Sequence, residues 1–184
     1  DLRHERNALD HSLHHHRSSP GYAEQLLIEE PEFQNLLLPY FKPESQELTE
    51  WMNSPYDTNP KYPEQLIHKT ASGRNVRSKS EAIIDAVLYT NRIPFRYECA
   101  LNLADYIIYP DFTIRHPKTG QLYYWEHFGL MDNPAYAKNA CSKLHLYVSH
   151  DIIPSVHLIA TYETKNNPLD YKYVLNLVKH HFLS

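Results

Sequence analysis

The chain has 184 residues, of which 42% are hydrophobic and only four are glycine, and it carries a formal net charge of −4. This length supports one main domain with an appendage, and the hydrophobic content excludes a disordered polymer. The negative charge gives no overall nucleic-acid signature. A cluster of metal-binding carboxylates would, however, make the net charge of a nucleic-acid-binding protein more negative.

Membrane and compartment signals are few. No apolar run approaches the ~20 residues that a membrane-spanning helix needs, and no signal-peptide pattern is present. Cys99 and Cys141 stand far apart, without the spacing of metal ligands. We therefore predict a cytoplasmic protein with reduced cysteines and no membrane partner. Because the chain begins at Asp1 rather than methionine, an upstream domain of the same chain remains open.

Residues 1–17 are predicted to form a helix because their leucines fall near one stripe. Leu2 and Leu9 are one heptad apart, which is compatible with the end of a longer upstream coiled coil. The tract His14–His16 is an alternative metal site. Adjacent helical residues point in different directions, however, and this favours a solvated helix end.

Residues 18–75 are interrupted by prolines and are predicted to form a wrapping segment with one short helix between Pro43 and Asn53. Its aromatic residues Trp51, Tyr56 and Tyr62 are expected to pack on the main domain. Stacking on nucleic-acid bases is the alternative role for these rings.

Residues 76–184 contain the regular pattern of an α/β domain, preceded by a small hairpin within residues 66–77. The predicted elements are helix Ser78–Asn91, strands Phe95–Leu103, Tyr106–Ile114 and Leu122–Phe128, a helix beginning at Asn133–Pro134, strand Val156–Thr161 and helix Tyr171–Phe182. A turn over His116–Gly120 joins the second and third strands. The buried stripe of the second helix is predicted to comprise Ala137, Ala140, Cys141, Leu144 and Val148.

Two carboxylates stand in apolar, strand-like surroundings. Asp111 follows Pro110 at the end of one apolar run, and Glu126 lies fifteen positions later in another. Burying each charge costs several kcal/mol unless a partner compensates. Since a five-residue turn between paired strands brings the two acids together, we predict that they share a divalent cation.

With Glu81 in the first helix, Pro110–Asp111 on the second strand and Glu126 on the third, residues 76–162 resemble the PD-(D/E)xK, or restriction-endonuclease-like, nuclease superfamily. The resemblance implies an αβββαβ core with a mixed central sheet flanked by helices, here with an N-terminal helical and irregular extension. It also implies endonuclease-type hydrolysis of phosphodiester bonds in nucleic acid, with DNA favoured over RNA. Dimers occur among such enzymes, and this sequence leaves the oligomeric state open.

The same resemblance implies a site that holds Mg²⁺ or Mn²⁺ on hard oxygen ligands. The implied ligands are Asp111, Glu126, Glu81 and the backbone carbonyl of His127. Glu81 has an alternative role, because Ser78 and Glu81 form a capping box at the start of the first helix.

The sequence departs from the family pattern at the lysine. The resemblance places a lysine two residues after Glu126, where Phe128 stands. Some members supply this lysine from the following helix, which here offers Lys138 and Lys143 on opposite flanks. We favour Lys143, because it shares its flank with Tyr136 and Tyr147. The alternatives are Lys138 or no lysine at all.

Phosphate contacts are assigned to basic residues beside the first helix. Arg74, Arg77 and Lys79 precede Glu81, and Tyr136 borders the expected site. The alternative is that these three basic side chains belong to an ordinary solvated surface. His127 is not assigned as a base, because strand alternation points its ring away from Glu126, into a buried and hydrogen-bonded position.

A noncatalytic nucleic-acid-binding or interaction domain is the alternative function, and the displaced lysine motivates it. The retained pair Asp111 and Glu126 argues against it. A hydrolase with a histidine-bound metal is disfavoured, because the histidines of the main domain lack the i,i+4 spacing of helical ligands.

Overall fold

A computed structural model describes residues 46–184. A mixed central sheet flanked by helices confirms the predicted α/β class. The predicted helix over residues 1–17, its histidine tract and residues 18–45 of the wrapping segment lie outside the described residues. None of the helices from residue 46 onward is both long and apolar enough to cross a bilayer.

The regular elements follow the predicted order, with changes at their ends. They are α1 (Gln46–Asn53), β1 (His68–Lys69), β2 (Asn75–Val76), α2 (Lys79–Thr90), β3 (Phe95–Tyr97), β4 (Leu101–Leu103), β5 (Tyr106–Ile108), β6 (Phe112–Arg115), β7 (Leu122–Phe128), α3 (Pro134–Val148), β8 (Leu158–Tyr162) and α4 (Tyr171–Val178). The predicted last helix is therefore α-helical only to Val178, and a π-helical turn continues it over Lys179–Leu183.

The central sheet has the strand order β3-β6-β7-β8. Strand β6 is antiparallel to β3 and β7, whereas β7 and β8 are parallel and are connected through α3. A parallel pair requires such a crossover connection, and a helix usually provides it. With α2 before the first sheet strand and α3 between β7 and β8, the order is therefore α2, β3, β6, β7, α3, β8.

Alternation along the strands gives the sheet two different faces. One face packs Trp125, Phe112 and Ile159 against α2 and α4 in the larger core. The other face packs Tyr124 and Leu158 against α3 and the β4–β5 hairpin. Glu126 alternates with Trp125 on β7 and therefore belongs to the α3 face.

Two predicted strands are wrong in their extent. The segments Phe95–Leu103 and Tyr106–Ile114 each divide into two short strands, of which β4 and β5 pair separately as a hairpin. Glu98 adopts a φ of 45°, which interrupts the extended backbone between β3 and β4. Pro110 lies between β5 and β6 and has no N–H for strand pairing. Asp111 consequently lies immediately before β6 rather than inside a continuous strand.

The buried face of α3 also differs from the prediction. Cys141 is exposed and Val148 is 47% exposed, whereas Tyr147 is fully buried. The helix is thus rotated toward the flank that carries Lys143, while Ala140 stays buried. The physical reason is that the sheet face beneath α3 contains a carboxylate, so side chains with polar tips pack there.

Local signals that fix the site elements are present as predicted. Ser78 caps α2 by accepting a hydrogen bond from the N–H of Glu81 at 3.1 Å. Asn133 caps α3, with Pro134 in its first position. In the turn between β6 and β7, Gly120 adopts a φ of 72° and donates its N–H to the carbonyl of His116 at 2.8 Å. This turn sets the register of β6 against β7.

Arg96 is one of the residues that attach the wrapping segment to the main domain. The guanidinium carbon of Arg96 lies 4.5 Å from the ring centroid of Trp51 and 4.7 Å from that of Tyr56. Its Nε also donates to the Trp51 carbonyl at 3.0 Å. Packing of Trp51 and Tyr56 on the main domain is therefore confirmed, whereas the prediction for Tyr62 is wrong, because that ring is 62% exposed.

We expect Arg96→Ala to lower the free energy of unfolding by about 2–3 kcal/mol, because two cation–π contacts and the hydrogen bonds to the Trp51 carbonyl and the Ser54 hydroxyl are lost together. The matched control is Arg115→Ala. Arg115 links α1 to β6 through Glu47, whose side chain is 72% exposed, and such surface pairs contribute below about 1 kcal/mol. Urea unfolding of both variants measures the difference, and equal losses would contradict this role for Arg96.

Candidate functional site

The sheet backbone holds Asp111 opposite Glu126. Phe112 pairs with Trp125, so the next residue pair along the same register is Asp111 and Glu126. Oδ2 of Asp111 accepts a hydrogen bond of 2.7 Å from the backbone N–H of His127. The N–H of Glu98 donates to the Asp111 carbonyl at 3.0 Å and extends the pairing with β3. The sequence prediction that the two acids lie close together therefore agrees with the strand register.

Helix α3 supplies two donors to Glu126, whose exposed fraction is only 2%. Lys143 Nζ donates to Oε2 at 2.7 Å and lies 2.7 Å from Oε1 as well, and the Tyr147 hydroxyl donates to Oε1 at 2.5 Å. The two donors are four residues apart and therefore lie on the same side of the helix. Lys143 Nζ also contacts the carbonyl of Tyr109 at 3.4 Å.

The carboxylates of the site disfavour one another's charged forms. Burial raises the pKa of Asp111 well above its usual range, and the negative charge of Glu126 raises it further. Asp111 keeps part of its surface in solvent, which moderates the effect of burial. Burial also raises the pKa of Glu126, although Lys143 and Tyr147 partly offset the rise. Additional positive charge near Asp111 would therefore be stabilising.

Lys143 remains a cation in this environment. Burial alone would lower the pKa of Lys143, but the charges of Glu126 and Asp111 reverse this effect and hold that pKa above its usual value. Its side chain is 33% exposed, so the ammonium group also reaches solvent. The site thus combines two acids with one fixed positive charge.

Glu81 lies at the start of α2 and makes the predicted capping interactions. Its Oε1 accepts from the Ser78 hydroxyl at 2.8 Å, and its Oε2 accepts from the Tyr97 hydroxyl at 2.6 Å and from the Arg77 N–H at 3.0 Å. The charge of Glu81 nevertheless contributes to the raised pKa of Asp111, which places it within electrostatic range of the sheet acids. To bind a cation directly, Glu81 would have to give up some of these bonds.

The donor set suits a hard divalent cation. Of the two carboxylate oxygens of Asp111, Oδ2 accepts a hydrogen bond, whereas Oδ1 accepts none from residues 46–184 and is available to a cation. In the same region, no three side chains among His, Cys, Asp and Glu converge on one point. Mg²⁺ needs only one or two carboxylates and keeps several water ligands, so Asp111 and Glu126, with the His127 carbonyl, fit this requirement.

The structure brings Lys143, and not Lys138, to the acids. Lys138 is exposed on the outer side of α3. Phe128 occupies the position at which the resemblance places a lysine, and it is 3% exposed. Its ring stacks on Tyr162, with ring centroids 5.5 Å apart and an interplanar angle of 16°. A lysine at this position would have to displace that stack.

The His127 ring lies on the opposite sheet face from Glu126, as alternation predicts. Its Nδ1 is 3.1 Å from the Thr161 hydroxyl. Its Nε2 is 3.3 Å from Oε1 of Glu163, at an angle outside hydrogen-bond geometry. The ring is buried, so His127 reaches the acids only through its backbone.

The basic residues assigned to phosphate differ in how they are engaged. Arg77 pairs with Glu98 at 2.7 Å and donates to the carbonyls of Tyr62 and Lys61 at 2.7 and 2.6 Å. Arg74 donates to the hydroxyl of Tyr56 at 2.8 Å. Both guanidinium groups thus have protein partners, whereas Lys79 is exposed.

Tyr136 is the assigned residue that borders the acids. Its hydroxyl accepts a hydrogen bond from the N–H of Gly129 at 3.2 Å. Burial raises the pKa of Tyr136, and the charge of Asp111 adds to the rise, which indicates that the hydroxyl lies near the acids.

Sequence reasoning missed the contacts of Tyr147 and Tyr97 with the acids. The spacing of Tyr147 four residues after Lys143 was a usable signal, because both must project from the same side of a helix. No comparable signal identifies Tyr97, which reaches Glu81 from another element.

No protein-family model, curated protein or solved structure gives a significant match to this chain. Function is therefore inferred from the arrangement of the site residues.

Proposed function

We propose that this chain is a divalent-metal-dependent nuclease that hydrolyses phosphodiester bonds of DNA through a variant PD-(D/E)xK site. The observation that carries the proposal is the 2.7 Å contact between Lys143 Nζ and Glu126, on the sheet face that Asp111 shares. This contact supplies, from α3, the positive charge that the family pattern expects on the strand.

The order of elements supports the same proposal. Helix α2, strands β3, β6 and β7, helix α3 and strand β8 follow the αβββαβ order of the superfamily core. Asp111 and Glu126 occupy the second and third of these strands, or the residue next to them, which are the positions that carry the acids in the family pattern.

Each residue has a role that follows from its surroundings. When bound, Mg²⁺ or Mn²⁺ would activate water and neutralise charge at phosphorus. Asp111 and Glu126 would hold the ion, with the His127 carbonyl as a further ligand. Because the pKa of Lys143 is raised, its ammonium group cannot serve as a base. It is suited instead to orienting water and stabilising negative charge on the phosphate oxygens.

Glu81 has a supporting role in this scheme. The bonds from Ser78 and Tyr97 hold its carboxylate at the start of α2. From there its charge strengthens the attraction of the site for a cation, without Glu81 leaving its capping position.

A noncatalytic nucleic-acid-binding or interaction domain is the second candidate. The observation that favours it is that Lys143 already neutralises Glu126 without any metal. In that case Glu126 would have a purely structural explanation, whereas Asp111 would be left without one.

Calorimetric titration with Mn²⁺, followed by incubation with labelled duplex DNA, single-stranded DNA and RNA of the same sequence, tests the proposal. We expect Mn²⁺ to bind and DNA to be cleaved only when the metal is present. Absence of both binding and cleavage would favour the noncatalytic domain. Cleavage of RNA alone would correct the substrate while keeping the chemistry.

A further inference from the structure

Tyr147 is a buried tyrosine whose hydroxyl ends on a site carboxylate. Its exposed fraction is 0%, and its ring packs with Leu103, Ile152 and Leu158 in the smaller core. The 2.5 Å separation from Oε1 of Glu126 is characteristic of a hydroxyl that donates to a charged oxygen.

The two donors to Glu126 differ in how easily they can be replaced. Lys143 lies 2.7 Å from both Oε2 and Oε1 and its side chain is 33% exposed, so solvent or an incoming cation can take its place. Tyr147 binds Oε1 from a fully buried position, and no exchange with solvent is available there. An arriving cation would therefore meet Oε2 while Oε1 stays fixed.

We propose that Tyr147 is a positioning residue that fixes Oε1 of Glu126 and thereby presents Oε2 to the cation. This inference rests on the proposed function, since it takes the cation site as its premise. The alternative is that Tyr147 contributes only core packing, with its hydroxyl merely satisfied by the nearest acceptor.

Tyr147→Phe separates these two roles, because it keeps the ring and removes a single oxygen atom. We expect the affinity for Mn²⁺ to fall about 10-fold or more, in the range seen when partners of metal ligands are removed. We also expect the pH midpoint of Mn²⁺ binding to rise, because losing a donor raises the pKa of a carboxylate. A role in packing alone would leave both quantities unchanged.

Tyr124→Phe is the matched control. Its ring lies 6.3 Å from that of Tyr147 in the same core, and no hydrogen bond joins it to Glu126 within the described residues. We expect this variant to keep the wild-type affinity for Mn²⁺ and the wild-type pH midpoint. Thermal unfolding of both variants reports any common loss of packing.

Each outcome has one meaning. If the wild-type protein does not bind Mn²⁺, the proposed function itself fails. If the wild type binds and Tyr147→Phe binds equally well with the same pH midpoint, only the role of Tyr147 is overturned. Should Tyr147→Phe fail to fold, fluorotyrosine at position 147 provides a stronger donor and should lower the pH midpoint; an unchanged midpoint would again overturn the role.

Discussion

Replacing Asp111 with asparagine is expected to abolish Mn²⁺ binding and to reduce DNA cleavage by about a thousandfold or more, while making the metal-free protein more stable. The loss of activity follows because the cation contributes several kcal/mol at the transition state. The gain in stability follows because burial and the charge of Glu126 oppose ionisation of Asp111. Asparagine keeps an oxygen that can accept the His127 N–H.

The free energy of unfolding of metal-free Asp111→Asn should exceed that of the wild type by about 1 kcal/mol, which raises the unfolding temperature by roughly 3 °C. This gain should also depend on pH. Because the folded-state pKa of Asp111 is raised, the folded protein binds more protons than the unfolded chain above the ordinary aspartate pKa of about 3.9. The stability of the metal-free protein therefore falls as pH rises through that window, and the asparagine variant should lose this part of the pH dependence.

The control for this substitution is Asp105→Asn, at an exposed aspartate in the β4–β5 turn. Scanning calorimetry between pH 5 and 8, with and without Mn²⁺, measures both effects. An Asp111→Asn protein that still gains stability from Mn²⁺ would place the cation elsewhere.

Lys143→Met is expected to abolish cleavage while leaving the affinity for Mn²⁺ largely intact near pH 8, because Asp111 and Glu126 both remain and the loss of a repelling positive charge offsets the loss of a donor to Glu126. The variant should also lose about 3 kcal/mol of stability near pH 8, the cost of leaving a buried carboxylate without its partner. Loss of the ammonium raises the pKa of Glu126 further, so that Glu126 takes up a proton at lower pH and the unpaired buried charge is removed. The destabilisation should therefore shrink as pH falls toward 5.

Lys138→Met is the matched control, since this lysine is exposed on the same helix. We expect it to leave cleavage, Mn²⁺ affinity and unfolding temperature unchanged. Full activity in Lys143→Met combined with loss of activity in Lys138→Met would reverse the assignment of the lysine. Full activity in both would exclude a catalytic lysine on α3.

The parts of the fold that could be predicted from sequence are those set by local rules. The cap of α2 at Ser78 and the turn closed by Gly120 depend on residues within a few positions of each other. The opposition of Asp111 and Glu126 follows from that turn and from strand alternation. These features require no knowledge of distant partners.

The parts that sequence reasoning got wrong depend on contacts between distant elements. Glu98 gives no sequence signal for its positive φ, so the break between β3 and β4 could not be seen. The apolar stripe rule selected Cys141 and Val148 for burial, because it cannot detect that Glu126, on another element, attracts the polar-tipped flank of α3 instead. Charge complementarity across layers here outweighs hydrophobic periodicity.

Arg77 illustrates the same limit at the surface. Its position before α2 suggested a phosphate contact, but Glu98, twenty-one positions later and only 7% exposed, accepts its guanidinium. Neither residue indicates the other in the sequence, because the intervening chain includes all of α2 and β3.

The placement of Lys143 on α3 makes the geometry of the proposed site depend on tertiary packing. A lysine two positions after Glu126 would be held on the same strand, β7. Lys143 instead lies on α3, so its distance from Glu126 depends on how α3 packs on the sheet. Leu158 and Ile152 pack in the same core as Tyr147 of α3. The N–H of Ile152 also donates to the carbonyl of Tyr147 at 3.0 Å. If the proposed function holds, substitutions of these hydrophobic residues should lower the rate of cleavage by moving Lys143 relative to Glu126.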